Sequence, residues 1–154
     1  MNYITELVKF WRSEDLPIAD GVPNALLDEF ERQQGVVLPG DFREYFVRVN
    51  GMLERGAGCG SRGFTFFPIR DVKPVAKVCE ENGLELPEID HVSQYYVFAD
   101  YLQWSWAYAI RLDPQENPVV QIGTLVPTVV ANSFTEFLKM YLHDDPGLYL
   151  PSSG

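Results

Sequence analysis

A chain of 154 residues with 46% hydrophobic and 22% charged side chains has the size and balance of one soluble globular domain, large enough to bury a core without disulfide or metal staples. Its formal net charge of −10, from 12 basic and 22 acidic residues, opposes phosphate backbones and acidic lipid, so neither nucleic acid nor a membrane is an expected partner. No apolar run approaches the roughly 20 residues that span a bilayer, and the opening Met1-Asn2-Tyr3-Ile4-Thr5-Glu6 has neither a basic nor a continuous apolar region of the kind that directs secretion.

Ile4, Leu7, Val8 and Trp11 fall at i, i+3, i+4 and i+7, one face of an opening helix. After a polar loop containing Pro17, a second helix is expected from Pro23, with Leu26, Leu27 and Phe30 as its apolar stripe and Gly35 as a left-handed cap. Leu38-Pro39-Gly40 leads into a third helix. Asp41 and Glu44 have the spacing of a capping box there, Phe42, Tyr45, Phe46 and Val49 form the inward face, and Asn50-Gly51 supplies the stop. Residues 55–63 are a glycine-rich loop that lacks the closing Lys-Ser/Thr of a phosphate cradle. Phe64 to Ile69 reads as a short strand. Asp71 to Asn82 reads as a helix with Val72, Val75, Val78 and Cys79 inward, Pro74 in its first turn and Gly83 closing it.

An acidic loop, Leu84 to Asp90, precedes the stretch Val92–Leu112, in which two aromatic and β-branched runs read as neighbouring strands. Trp104 and Trp106 flank Ser105 and would share a face if both lay in a strand. That face is either a large part of the core or the stickiest surface of the molecule. Val119–Ile122 and Thr128–Ala131 add two more strands. Ser133 and Glu136 then form a capping box for a last helix with Phe134, Phe137, Leu138 and Tyr141 inward and His143 at its end. One domain over residues 1–143 is expected, with a loosely held tail over 144–154.

The charge is unevenly spread. Residues 1–77 hold 11 acidic and 10 basic side chains, whereas residues 78–154 hold 11 acidic ones against only Arg111 and Lys139. Between Val78 and Ile110 there is no Lys or Arg, while Glu80, Glu81, Glu85, Glu88, Asp90 and Asp100 accumulate. Such a field attracts a basic partner and speeds encounter with it. The plainer reading is a surface that favours solubility.

Chemistry-bearing patterns are sparse. His91 and His143 have no histidine or cysteine at a ligand spacing, and His143-Asp144-Asp145 is better explained as an exposed helix end than as a metal site. Cys59 and Cys79 likewise lack metal-ligand spacing, which fits a reduced, cytoplasmic setting, with a disulfide between them left open. No nucleophile elbow appears, and Glu80 and Glu81, adjacent on a helix, point some way apart. No catalytic residue, metal or cofactor is therefore expected.

The order of these signals resembles the SUKH superfamily, which includes the Smi/Knr fungal cell-wall-synthesis regulators. The resemblance rests on Leu38-Pro39-Gly40-Asp41-Phe42-Arg43-Glu44-Tyr45-Phe46, on Asn50-Gly51, on Phe98-Ala99-Asp100 with Trp106-Ala107-Tyr108, and on Val130-Ala131-Asn132-Ser133-Phe134-Thr135-Glu136-Phe137-Leu138. It runs over roughly residues 20 to 143 and implies an α+β fold, a single domain with an antiparallel sheet of about four to six strands and helices packed on it. Bacterial members of that superfamily are similar to immunity proteins that neutralise toxins, often nucleases or deaminases, by direct binding; fungal members act as regulatory scaffolds. The expectation is therefore a non-enzymatic protein-binding module whose partner is a basic toxin domain. A regulatory scaffold is the alternative, and a small-ligand-binding domain a more distant one. The expected contact residues are Glu80, Glu81, Glu85, Glu88, Asp90 and Asp100 for steering, with Tyr101, Trp104 and Trp106 as anchors; Tyr95, also in the aromatic run, is a further candidate anchor.

Overall fold

The computed structural model describes residues 2–53, 63–102, 104–124 and 126–149. Most of the glycine-rich loop, Cys59 and the last five residues fall outside them. In chain order the described elements are α1 (Tyr3–Ser13), β1 (Ile18–Asp20), α2 (Asn24–Gln34), α3 (Gly40–Arg48), β2 (Val49–Met52), β3 (Phe64–Phe66), β4 (Lys73–Pro74), α4 (Val75–Asn82), β5 (Tyr95–Tyr101), β6 (Trp106–Arg111), β7 (Val119–Ile122), β8 (Thr128–Ala131) and α5 (Phe134–Leu142). The strands β3-β5-β6-β7-β8 form an antiparallel sheet in that order, with β4 also paired to β5, and β1 and β2 make a separate antiparallel pair. This is the α+β, single-domain architecture implied by the resemblance.

The sheet is covered on both faces where its middle strands run. Every residue of β5 from Tyr95 to Asp100 is buried, which an alternating strand achieves only when both of its faces are packed. On one face Phe64, Phe66, Phe98 and Tyr108 meet Trp11 of α1, Phe42 and Tyr45 of α3, and Phe134, Phe137 and Tyr141 of α5 in a network of edge-to-face and stacked rings. Phe98 enters this layer because the register of β5 on β6 slips between Val97 and Ala99, leaving the phenylalanine as the extra residue of a bulge. On the opposite face α4 packs Val75, Val78 and Cys79 over β5.

Several local expectations are corrected. Asp41 lies inside the first turn of α3, whose N-cap is Pro39, so the Asp41–Glu44 capping box does not form. Its carboxylate instead joins two helices. One oxygen accepts from Phe42 N at 2.8 Å, and the other accepts from the backbone N and the hydroxyl of Thr135, at 2.9 and 2.8 Å, in the first turn of α5. Asp41→Ala is accordingly expected to lower stability by about 1–2 kcal/mol, the upper part of the range for a single helix cap, measured as a shift in urea midpoint. Ser133 does cap α5, accepting from Glu136 N at 3.0 Å, but the Glu136 carboxylate accepts in return from Asn132 N and not from Ser133 N. Leu26 is exposed, and Leu27 and Phe30 carry the inward side of α2.

Helix α4 begins at Val75, not at Asp71, because residues 69–71 form a short 3-10 turn and Lys73-Pro74 pairs with β5 before Pro74 caps the helix. The tail is not loose over its first six residues. A 3-10 turn at Pro146–Leu148 docks Leu148 at 0% exposure, and its carbonyl accepts from the Tyr108 hydroxyl and from Gln121 Nε2.

Candidate functional site

The site is built where the end of the sheet meets α4. Pairing of Asp100 with Ala107 and of Ala107 with Ile122 sets these three residues side by side on the α4 face. Ala107 and Ile122, with Val78 and Cys79 from α4, make an apolar floor whose members are each 5% exposed or less. Above that floor opens a groove of about 580 Å³, walled on one side by Leu84, Glu85, Leu86, Pro87 and Glu88 and on the other by Trp104, Trp106, Gly123, Thr124, Val126 and Pro127.

The wall residues are where the physics is unusual. Leu84 and Leu86 are each 50% exposed and Val126 is 67% exposed, so three large apolar side chains stand in water around one opening. The β5–β6 turn places both Leu102 (φ 46°) and Trp104 (φ 73°) in the left-handed region, which bulky L residues avoid at a cost on the order of 1–3 kcal/mol each. Two such residues in a short turn are held there by the bond from Ser105 N to the Tyr101 carbonyl (2.9 Å) and by the packing of Trp104 on Phe67. Strain of this kind collects at sites that bind.

The turn also corrects the expectation that Trp104 and Trp106 share a face. Trp104 is outside the strand and rests against Phe67, whereas Trp106 begins β6, stacks on Tyr101 at 4.6 Å and donates to the Tyr108 hydroxyl at 2.8 Å. Both residues are half-buried and both line the groove, but their rings lean on different parts of the core.

Of the expected contact residues, the groove gathers Glu85, Glu88, Trp104 and Trp106. Glu80 and Asp90 are exposed beyond it. Glu81 is exposed and engaged with Lys73, 3.2 Å away, which neutralises it locally. Asp100 is 2% exposed within the sheet and is withdrawn as a steering residue, because a surface partner cannot reach it. Tyr101 is half-buried between Phe64, Trp106 and Tyr149, so it supports the rim from behind. Tyr95, at 6% exposure, is withdrawn as an anchor.

The groove's apolar wall was missed in the sequence. Leu84 and Leu86 alternate with Glu85 and precede Pro87, a pattern that reads as an acidic loop when only its charges are counted. Val126 sits between polar and turn residues with no periodicity to single it out.

Among the described residues that line the groove, the side chains with chemistry to offer are Cys79, Glu85, Glu88 and Thr124. Burial pushes the Cys79 thiol up, so it stays neutral and is a poor nucleophile. His91 is exposed, and His143 caps α5 with Nδ1 2.8 Å from the Lys139 carbonyl. Among the described residues no three His, Cys, Asp or Glu side chains converge as metal ligands, and no helix is long and apolar enough to cross a membrane.

Compared with known proteins, residues 21–140 match the sequence model of the SMI1 / KNR4 family (SUKH-1). The match begins just before α2 and ends within α5, so it takes in the whole sheet and the groove. No curated protein matches the chain.

Proposed function

The chain belongs to the SMI1 / KNR4 family (SUKH-1), and from that premise we propose that it is a non-enzymatic binding module that neutralises a basic toxin domain by direct contact, as an immunity protein does. A cytoplasmic location belongs to the same proposal. The observation that carries it is the acid-rimmed apolar groove. Exposed Leu84, Leu86 and Val126 supply surface that gains by being covered, and Glu85 and Glu88 set the sign of the partner that covers it.

The absence of Lys and Arg from Val78 to Ile110 extends the same field along the approach to the groove. A nuclease or other enzyme that acts on nucleic acid carries a basic cleft, and an acidic surface of this kind can occupy it in place of the substrate. The module itself then needs no catalytic group, cofactor or metal.

The test is calorimetric binding to an inactivated C-terminal domain of the large protein encoded beside this gene, at low and high salt. Tight binding that weakens with salt supports neutralisation by charge. Absence of binding to any neighbouring product removes the toxin and moves the reading to a regulatory scaffold for endogenous proteins. With a partner in hand, Glu85→Lys with Glu88→Lys is expected to slow association by roughly tenfold at low salt and to flatten its salt dependence. Stopped-flow association at several ionic strengths checks this, and unchanged rates and salt slope would remove the acidic loop from the interface.

A further inference from the structure

The groove carries more than a general attraction for a basic protein. Its floor is apolar, with Val78, Ala107 and Ile122, and its walls include the apolar Leu84, Leu86 and Val126, while the charged side chains that line it among the described residues, Glu85 and Glu88, are both exposed and both acidic. They belong to one short loop and stand on either side of Leu86-Pro87. An occupant that fills the apolar centre therefore meets carboxylates at the edge.

We propose that the groove takes an exposed segment of the partner in which a large apolar side chain is flanked by lysine or arginine, a proposal that rests on the toxin-binding reading above. The volume of about 580 Å³ lies within the range of sites that enclose a small ligand, so it has room for a few side chains and not for a whole domain. The 50–67% exposure of Leu84, Leu86 and Val126 leaves the opening broad, which suits a segment continuous with a larger body better than an enclosed small molecule. Charge complementarity chooses the flanks. A carboxylate in the occupant would face Glu85 and Glu88 with no lysine or arginine from residues 78–110 to relieve it. The apolar residue acts as the anchor, and the cations select it over other apolar segments.

The probe is a capped, fluorescently labelled hexapeptide, Lys-Lys-Leu-Phe-Lys-Lys, titrated with the full chain and read by anisotropy. Saturable binding is expected, weakened at least roughly tenfold when Leu-Phe becomes Ser-Ser, when the lysines become glutamates, and in Val126→Ser or Leu86→Ser protein. Because Leu86 and Val126 are exposed, both variants should keep the wild-type circular dichroism. No saturation up to about 1 mM peptide, a level weaker than most specific contacts, or binding indifferent to both variants, would overturn the proposal.

The inactivated toxin domain is run against the same variants. Its undiminished binding to Val126→Ser and Leu86→Ser protein overturns the groove assignment and leaves neutralisation standing. Peptide binding without toxin-domain binding supports the groove's chemistry and removes the toxin instead. A free chain that sediments as a dimer, dissociated by Val126→Ser, makes a second copy the occupant and overturns the proposal.

Discussion

Gly51→Ala is expected to destabilise the protein by about 3–4 kcal/mol, although it adds one methyl group. Gly51 has φ +66°, a conformation that costs an L residue about 1–2 kcal/mol. A Cβ built there would lie 2.6 Å from both the carbonyl carbon and the oxygen of Phe67 and 2.7 Å from the Phe66 oxygen. These are backbone atoms of the segment that leaves the sheet, so the contact cannot be relieved by a rotamer change, and overpacking of this kind adds about 1–3 kcal/mol. The neighbouring Asn50 Oδ1 accepts from Ile69 N at 2.7 Å, which ties the same two stretches together from the other side. A fall in melting temperature of roughly 10 °C follows for a domain of this length. Asn50→Ala, which loses one hydrogen bond without a clash, should cost only about 1 kcal/mol. If thermal unfolding showed Gly51→Ala no worse than Asn50→Ala, the close approach of β2 to residues 66–67 would be wrong.

Asn50-Gly51 also shows what was legible in the chain and what was not. The dipeptide marks the end of α3 correctly, since the helix stops at Arg48. Its purpose is different from a helix stop: Asn50 and Gly51 lie within β2 and let that strand pass against a segment far along the chain. Asp41 behaves alike, with the local signal of a cap and a partner at Thr135. Periodicity located α1, α3 and α5 and their inward faces, apart from Val49, which follows α3 as the first residue of β2, because a helix's burial pattern is a property of neighbours three and four apart. Contacts between distant residues leave no such trace. The tail was misjudged for that reason: its prolines argue for irregular chain, and nothing local reveals that Leu148 reaches Tyr108 and Gln121.

At the site, the charged and aromatic residues were visible by type, and four of them do converge on the groove. Which ones converge was decided by details below the reach of a pattern. A two-residue alternation would put Trp104 beside Trp106, but positive φ at Leu102 and Trp104 turns the chain before the strand begins. Asp100 has the look of a surface carboxylate and is buried because its strand is covered on both faces. The apolar wall was hidden in the opposite sense, as exposed leucine and valine carry no signal distinguishing them from core residues.

Raising the pH through 10 to 12 is expected to unfold the protein from the tail inward. Burial pushes the Tyr108 hydroxyl up to about 12, and it pushes Tyr45 well above the ordinary value, with the nearby Tyr141 hydroxyl adding to the effect. Tyr95 and Tyr96 are also raised by burial. In the unfolded chain these phenols ionise near pH 10. Above that pH the folded state therefore holds protons that the unfolded state has lost, and stability falls as pH rises. The stabilisation is complete below about pH 10 and is lost as the pH passes through about 12; a displacement of that size amounts to about 2–3 kcal/mol for Tyr108 alone. Its hydroxyl accepts from Trp106 Nε1 at 2.8 Å and donates to the Leu148 carbonyl, so ionisation removes the proton that latches the tail. Tyr108→Phe should cost about 1 kcal/mol at neutral pH and make the alkaline decline shallower, with Gln121 Nε2 still serving Leu148 at 3.2 Å. Urea midpoints measured across this pH range, with phenolate absorbance followed in parallel, test the account. Should Tyr45, Tyr95, Tyr96 and Tyr108 ionise near pH 10 while the fold persists, their burial would be refuted.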